Sequence, residues 1–334
     1  MLRPKYPTSR RRSRQILGRA ASACESLERR TLMASILVNS DASNTPAGDG
    51  LVTLREAINA ANSDSTTDLG QTGSGADTIT FDLGAGAHQI ILTNVLPGLN
   101  STIEIQGPGA DLLTIGRNSL IDFRIFWNPF RNNITLSGMT ITGGKTTQDG
   151  GAVFSNGTLT VNDCVITGNI ARFGGEISNQ NIGHLTVNNC TISGNTATGG
   201  SGGIDNFQNS DATISNCTFS NNSVTNSNAG GGGIRSTSGC SLVVANCTFT
   251  GNTAAFNGGG INNSGTANVS NSTFSGNSTG TNGGGGILNT GTLTVTASTF
   301  NDNHSDQDTG GGIYNYFGTV SVSNSTLTGN TAYD

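Results

Sequence analysis

The sequence predicts an all-β fold, a parallel β-helix whose coils of about 25 residues each contain three short strands. A phrase, N-x-C/S-T-aromatic or aliphatic-x-G-N followed by G-G-x-I-x-N, recurs between residues 141 and 334. Its central apolar residue, the anchor, recurs every 25 to 30 residues, at Ile141, Ile166, Ile192, Phe219, Phe249, Phe274, Phe300 and Leu327. A period of this length is typical of a stacked array in which no unit folds alone.

The second observation is the composition. Glycine accounts for 49 of the 334 residues, hydrophobic residues for 33% and charged residues for only 11%. The glycine share is roughly twice the usual one. Because the apolar residues occupy regular places in the repeats, the chain differs from a flexible low-complexity linker, which has too few of them to offset the entropy of ordering.

The third observation is the period-two alternation within each repeat, as in L-T-V-N-N-C-T-I-S-G-N (185–195). Alternation places Leu, Val, Cys and Ile on an inward face and Thr on an outward face. The Asn-Asn step predicts a bend, and G-G-I-D-N (202–206) predicts a third short strand with Ile204 facing inward.

Two asparagine positions recur in the repeats. The asparagine three residues after the anchor predicts a turn, since Asn tolerates positive φ, at Asn169, Asn195, Asn222, Asn252, Asn277, Asn303 and Asn330. The second asparagine lies two residues after an inward Ile, at Asn179, Asn206, Asn263, Asn289 and Asn315, with Ser155 and Ser236 as exceptions. We predict an internal ladder there, with each amide bonded to neighbouring coils; the alternative is a line of ligand-binding amides.

Four cysteines lie in register, each two residues before its anchor: Cys164, Cys190, Cys217 and Cys247. Met139 and several serines occupy the same position elsewhere, and no C-x₂₋₄-C pair is present, so a buried small-residue stack is favoured over a metal site. Disulfides between neighbouring coils remain an alternative in an exported protein. The oxidation state of these four and of Cys240 is left open.

The charge is divided unevenly along the chain. Nine Lys/Arg against two Glu give residues 1–35 a net charge of +7, so the total of −5 leaves −12 for the rest. We interpret residues 1–35 as a basic export leader, disordered or cleaved, rather than a nucleic-acid tail. An acidic body without clustered Lys/Arg argues against nucleic acid as a partner. No apolar stretch approaches the length of a transmembrane helix.

Residues 36–133 are expected to form an N-terminal cap and the first coils, and residues 134–334 the regular repeats, the last of them incomplete. A helix is predicted at about 53–62, because Thr53 and Glu56 have the spacing of a capping box and Leu54, Ala57, Ile58 and Ala61 form one apolar stripe. Such a helix could cover the open first coil. The chain stops within the eighth unit, which predicts a downstream module or a partner chain at that end.

The segments V-T-L-R-E-A-I-N-A-A-N (52–62), D-T-I-T-F (77–81) and I-Q-G-P-G-A-D-L-L-T-I (105–115) resemble the bacterial CSLREA-type N-terminal domain. Val52 and Thr53 stand where that family has Cys and Ser. The G-G-x-I and F-x-x-N phrases resemble the repeats of polymorphic outer membrane proteins. The resemblance implies a right-handed parallel β-helix on an exported bacterial protein, extracellular or at the cell surface or outer membrane, in families whose members mostly lack a known activity.

The chain offers few groups for chemistry. Parallel β-helices often cleave acidic polysaccharides, and Asp149, Glu176 and Asp205 are candidate loop carboxylates for a lyase or glycoside hydrolase. Their cationic partners are sparse: Lys145, Arg172 and Arg235. Asp302, Asp306 and Asp308 could bind Ca²⁺ weakly, although a solvated acidic loop is favoured, and no other cofactor is expected.

Exposed aromatic residues suited to sugar stacking are also few, with Tyr314 and Tyr316–Phe317 as the main cluster. The R-I-F-W-N-P-F stretch (124–130) is interpreted as packing on the rod, with a contact patch as the alternative. The favoured function is a cell-surface rod acting as adhesin, passenger or scaffold, without a catalytic site. Its partner would be a polysaccharide or another surface protein; the alternative is a polysaccharide-cleaving enzyme.

Overall fold

The computed structural model describes residues 33–226, 230–307 and 310–333. The expected export leader lies almost entirely outside these residues. Within them the chain winds into a right-handed parallel β-helix, as predicted, and its strands stack coil upon coil into four parallel sheets.

The first and second sheets carry the L-x-V and T-anchor-x segments of the repeats. In the described residues the first sheet has eleven strands: Ala34–Val38, Ala76–Phe81, Thr102–Gln106, Asn133–Ser137, Thr158–Asn162, His184–Asn188, Asp211–Ser215, Ser241–Ala245, Thr266–Ser270, Thr292–Thr296 and Thr319–Ser323. The second sheet has ten: His88–Leu92, Leu113–Arg117, Thr140–Thr142, Val165–Thr167, Thr191–Ser193, Thr218–Ser220, Thr248–Thr250, Thr273–Ser275, Thr299–Asn301 and Thr326–Thr328.

The third and fourth sheets complete each coil. Across the described ranges the third sheet has seven two-residue strands: Ile170–Ala171, Thr196–Ala197, Ser223–Val224, Thr253–Ala254, Ser278–Thr279, His304–Ser305 and Thr331–Ala332. The fourth sheet, formed by the I-x-N segments, has eight: Phe126–Asn128, Val153–Ser155, Ile177–Asn179, Ile204–Asn206, Ile234–Ser236, Ile261–Asn263, Ile287–Asn289 and Ile313–Asn315. The regular coils therefore contain one strand more than predicted, because two residues are too short to show an alternation.

The anchors pair directly above one another, so every coil repeats the same register. The four phenylalanine anchors stack face to face, with ring centroids 4.6 to 4.7 Å apart and planes within 5° of parallel. This distance follows the spacing of about 4.8 Å between hydrogen-bonded strands. The aromatic column is therefore imposed by the backbone lattice.

The asparagine after the anchor is not the turn residue that the sequence predicted. Asn169 and its equivalents up to Asn303 are fully buried, and each side-chain amide donates to the next coil's amide oxygen at 2.8 to 3.0 Å. The positive φ belongs to the residue before, such as Gly168 or Asn221. That residue makes the bend, which turns the asparagine into the interior, where the neighbouring coil satisfies its amide.

The second asparagine column is internal, as predicted. Asn179 Nδ2 donates to Asn206 Oδ1 at 2.9 Å, and Asn263 Nδ2 donates to Asn289 Oδ1 at 2.8 Å. The interior therefore contains two asparagine ladders, and neither leaves its amides facing a ligand.

The register cysteines form the predicted buried stack, and all five described cysteines are free thiols. Cys164 N donates to Cys190 Sγ at 3.4 Å, and this contact repeats one coil further on between Cys190 and Cys217. The hydrogen bond with the Cys190 thiol, together with burial, raises the pKa of the Cys217 thiol to about 12. A neutral thiol is neither a strong nucleophile nor a metal ligand.

The single helix described, Leu54–Ser63, begins where the capping box predicts. Glu56 N donates to Thr53 Oγ1 at 3.3 Å, and Thr53 N donates to the Glu56 carboxylate at 2.8 Å. The apolar stripe is buried against the first strands of the rod. The helix therefore packs on the first coils and covers apolar residues that would otherwise be exposed at the open end of the β-helix.

The second asparagine ladder lacks one hydrogen-bond donor, at Asn179. Asn179 Oδ1 is buried without a hydrogen bond, because Ser155 in the preceding coil is too short to reach it. We expect Ser155→Asn to supply the missing donor and stabilise the protein by about 1 kcal/mol. The measurement is the midpoint of urea unfolding, which should rise at an unchanged slope.

The matched control for this prediction is Ser236→Asn. Asn263 Oδ1 in the following coil already accepts from Gly265 N at 3.2 Å, so the control should gain less. An equal gain in both variants, or a lower midpoint for Ser155→Asn, would contradict the account of the ladder.

Candidate functional site

The fourth sheet presents one outward residue per coil, the middle residue of each I-x-N strand. Successive coils align these residues in a single column: Trp127, Phe154, Ser178, Asp205, Arg235, Asn262, Leu288 and Tyr314. Unlike the inward columns, this one changes its residue type from coil to coil. Trp127, Phe154 and Arg235 of this column, together with the adjoining loops, form the candidate site, called the groove below. Ser178 and Asp205, between them in the column, are fully buried.

Three adjoining depressions make up the groove. Two of them, of about 520 and 530 Å³, share Arg124, Trp127, Thr147 and Gln148 as lining residues. A third, of about 340 Å³, adjoins the second through Arg172 and reaches Arg235. The site is therefore elongated along the rod axis.

Arginines and aromatic rings alternate through the groove. The Arg124 guanidinium lies 4.8 Å from the Phe154 ring centroid and 5.9 Å from that of Trp127. Arg172 and Arg235 lie 4.5 and 4.9 Å from the Phe173 ring. Burial lowers the pKa of Arg124, with the charge of Asp149 opposing the shift, yet an arginine remains protonated in proteins. The groove thus offers fixed cations beside aromatic faces.

Asp149 lies within this groove at the end of the loop that follows the second-sheet strand. Its Oδ2 accepts a hydrogen bond of 2.9 Å from Gln180 Nε2, which also donates to Ser178 Oγ at 2.8 Å. Its Oδ1 lies 3.4 Å from Arg172 Nη2, an ion-pair distance, but accepts no hydrogen bond. Asp149 is therefore held in place with one oxygen incompletely satisfied.

Asp205 is in a strand of the fourth sheet rather than in a loop, contrary to the sequence-based expectation. Arg235 binds it with two contacts, from Nε to Oδ1 at 2.6 Å and from Nη2 to Oδ2 at 3.0 Å. Burial raises the pKa of Asp205, the Arg235 charge lowers it, and the Asp149 charge raises it further. Both oxygens of this carboxylate are engaged in the ion pair.

Glu176 lies in the bend immediately before the strand Ile177–Asn179, outside the sheet. Its backbone N donates to Gly203 O at 3.3 Å, and later coils have glycine at its position. A Cβ at the equivalent Gly233 would meet the ring of Phe249. Its side chain is fully buried, and neither carboxylate oxygen has a hydrogen-bond partner. Burial raises the pKa of Glu176 well above its ordinary value. This carboxyl group is therefore inaccessible from the groove.

The remaining predicted site residues lie elsewhere. Lys145 pairs with Asp122 at 3.2 Å, beside the first depression. Asp306 pairs with His304 at 2.9 Å, while the Asp302 carboxylate accepts from Asn301. Asp308 lies outside the described residues, so a calcium site of these three stays a prediction. The described residues contain no cluster of three His, Cys, Asp or Glu side chains arranged for a metal ion.

Residues 124–130 divide between the two roles considered for them. Phe126 is buried in the core, whereas Trp127 is 41% exposed and lines the groove. No motif in the sequence associates Arg124, Phe154 or Gln180 with Asp149. The available signal was the period itself, because aligning the coils on the inward residues Phe126, Val153 and Ile177 places Trp127 beside Phe154.

The comparisons with known proteins agree with this architecture. The profile of the family described as Right handed beta helix region matches residues 125–274. No curated protein matches the sequence. No helix in the described part of the chain is long and apolar enough to span a bilayer.

Two solved structures are similar to this chain at 13% identity. One is ORF18 of Geobacillus virus E2, with a TM-score of 0.50, covering 88% of this chain; this chain spans 62% of the viral one. The other is the pectate lyase Pel9A, with a TM-score of 0.44, covering 91% of this chain and 83% of its own. At this identity the first likeness concerns the fold alone.

The buried Glu176 carboxyl makes stability depend on pH. Its pKa is higher in the folded than in the unfolded state, so the unfolded state releases the proton first as pH rises. Stability therefore falls above about pH 4.3, by up to about 1.4 kcal/mol per pH unit. We expect Glu176→Gln to remove this loss, giving a stability advantage over the wild type that grows with pH.

Urea unfolding at several pH values between 4 and 8 measures this difference. Glu104→Gln, at an outward strand position, serves as the matched control and should show no comparable trend. A difference between wild type and Glu176→Gln that stays constant with pH would contradict the burial of this carboxyl.

Proposed function

We propose that this protein is an exported rod that binds an extended polysaccharide along the groove, without cleaving it. The row of guanidinium groups and aromatic rings from Trp127 to Arg235 is the observation that carries the proposal. A carbohydrate presents apolar C–H faces, which contact aromatic rings, and hydroxyl or carboxylate groups, which accept hydrogen bonds from arginine.

The length of the groove favours a polymer over a small metabolite. Four steps of the fourth sheet separate Trp127 from Arg235, which corresponds to about 19 Å at 4.8 Å per step. The depressions along this row are continuous through shared lining residues. Because the row is built on a regular sheet, its contact groups need no rearrangement to meet a repeating ligand.

The state of the carboxylates favours binding over hydrolysis. A glycoside hydrolase needs two carboxyl groups free to act on either side of the bond. Asp149 in the groove is bound by Gln180 and Arg172, while Asp205 is buried in its ion pair with Arg235 and Glu176 is inaccessible. These groups shape the groove and hold its arginines in position.

Export and a place at the cell surface are part of the same proposal. The basic leader of residues 1–35 supports export, and the acidic, Thr-rich body suits contact with carbohydrate better than with nucleic acid. An adhesin or scaffold of this kind would present its groove side-on to a polymer.

The groove contains Trp127, the only tryptophan of the chain, so binding has an intrinsic reporter. We expect a polysaccharide that binds to change the tryptophan fluorescence, so that a panel of acidic and neutral polymers shows which class binds. The affinity for the polymer that binds should fall at least about tenfold in Arg124→Ala. Trp127→Ala, measured by affinity electrophoresis, should weaken binding similarly.

The matched controls are Arg131→Ala, which removes an exposed arginine outside the groove, and Tyr333→Ala, which removes an exposed aromatic residue far from it. Both should bind like the wild type. Unchanged binding in Arg124→Ala and Trp127→Ala, with normal circular dichroism, would refute the groove as the binding site.

A second candidate function is β-elimination on a uronate polymer, favoured by one observation. Asp149 Oδ1 is buried, accepts no hydrogen bond and lies 3.4 Å from Arg172 Nη2, and a lyase needs a base next to cations. A screen on uronate polymers with and without Ca²⁺, read by absorbance of unsaturated products, tests it. Cleavage that Asp149→Asn abolishes, while binding persists, would replace the non-catalytic proposal.

A further inference from the structure

The outward column of the fourth sheet continues past Arg235 to a separate depression of about 250 Å³. It is lined by Asn257, Asn282, Leu288, Thr290, Tyr314 and Tyr316. None of these residues lines the groove, and Tyr314 lies seven strand steps from Trp127, about 34 Å at 4.8 Å per step. We call this depression the tyrosine pocket.

The apolar part of the tyrosine pocket is formed by Leu288 and two aromatic rings. Leu288 is 4% exposed and pairs directly with Tyr314 in the next coil. The rings of Tyr314 and Tyr316 lie 5.9 Å apart at an angle of 32°. Two tilted rings beside a buried aliphatic side chain suit the C–H face of a small saturated ring.

Of the polar side chains around this apolar surface, Thr290 donates from Oγ1 to Ser264 Oγ at 2.9 Å, whereas the other four have no hydrogen-bond partner among the described residues. The phenol hydroxyls of Tyr314 and Tyr316 and the side-chain amides of Asn257 and Asn282 make no hydrogen bond there, unlike the paired amides of the two internal ladders. Both asparagines have positive φ, 64° and 57°, in the loops that rim the pocket. A few convergent polar groups over an apolar base are the usual composition of a ligand site.

The charge distribution indicates which ligand the tyrosine pocket accepts. No lysine or arginine follows Arg235 in the sequence, and no residue lining the pocket is charged. A carboxylate or phosphate would therefore lose its hydration without gaining a cation. Amide and phenol groups, which both donate and accept, are complementary to hydroxyl groups.

We propose that the tyrosine pocket binds a neutral pyranose-type sugar. The polymer bound in the groove would thus also be bound at a second, uncharged site on the same face of the rod. This second part rests on the proposed function, whereas the pocket's preference for a neutral sugar does not. Engagement of both positions by one chain raises affinity through effective concentration, so affinity should increase once an oligosaccharide is long enough to span both.

The test uses methyl glycosides of neutral hexoses and pentoses as probes, with methyl galacturonoside as the anionic comparison, in saturation-transfer NMR on the full chain. We expect at least one neutral glycoside to bind, without changing the fluorescence of Trp127. Its affinity should fall at least about tenfold in Tyr314→Ala. Asn282→Gly, which keeps the positive φ and removes the amide, should also weaken binding.

The controls separate this inference from the proposed function. Trp127→Ala should leave glycoside binding intact, and Tyr333→Ala should behave as the wild type. Absence of binding by every neutral glycoside, binding that survives both pocket variants, or equal binding of the galacturonoside would overturn the inference, even if the groove binds its polymer. Conversely, glycoside binding in the pocket without polymer binding in the groove would refute only the proposed function and the binding of one chain at both sites.

Discussion

The spacing of about 4.8 Å between hydrogen-bonded strands is the constraint on which the rest of this structure depends. Because each coil repeats the same register, equivalent side chains lie directly above one another at that distance. Phenylalanine rings stack across this spacing with centroids 4.6 to 4.7 Å apart. Asparagine side chains are long enough to form hydrogen bonds of 2.8 to 3.0 Å across it. A side chain of another length, such as Ser155, leaves its neighbour's polar atom unpaired. Stacking therefore restricts each inward column to a few residue types, such as Ile or Phe at the anchor and Cys or Ser two residues before it.

Outward positions of the fourth sheet are not restricted in this way, so their side chains differ from coil to coil and can form a binding site. Trp127, Phe154, Ser178, Asp205 and Arg235 follow one another on equivalent backbone positions. Loops of different length add Arg172 and Phe173 from the side. A rigid lattice with variable side chains fixes the distances between contact groups in advance, which reduces the entropic cost of binding an extended ligand.

The main departure from the lattice is Glu176, a carboxyl group where later coils have glycine. Burying it without a partner is unfavourable, and the fold accommodates it only with a raised pKa. The same coil contributes Phe173 and Gln180 to the groove. Local rules of a fold are most often broken near functional sites, where other contacts compensate for the cost.

The sequence by itself determined the β-helix, because period, alternation and anchors describe local and nearest-neighbour relations that recur in every coil. It also determined the capped helix, the buried cysteine stack and one asparagine ladder. It could not tell which residue of each G-N pair bends the chain, since both tolerate positive φ; the hydrogen bond available inside the next coil decides this. Asp149 and Asp205 were recognisable singly, but not their pairing with Gln180 and Arg235.

Only the tertiary structure decided the site, for a related reason. Arg124 and Phe154 lie 30 residues apart along the chain, and Asp149 and Gln180 lie 31 apart. Arg124 and Asp149 are outside the strands, where the loops between coils vary in length. Their contacts arise when coils stack and loops fold over the fourth sheet. A repeat predicts what every coil shares, whereas binding depends on what differs between coils, and those differences acquire meaning only when the coils are in contact.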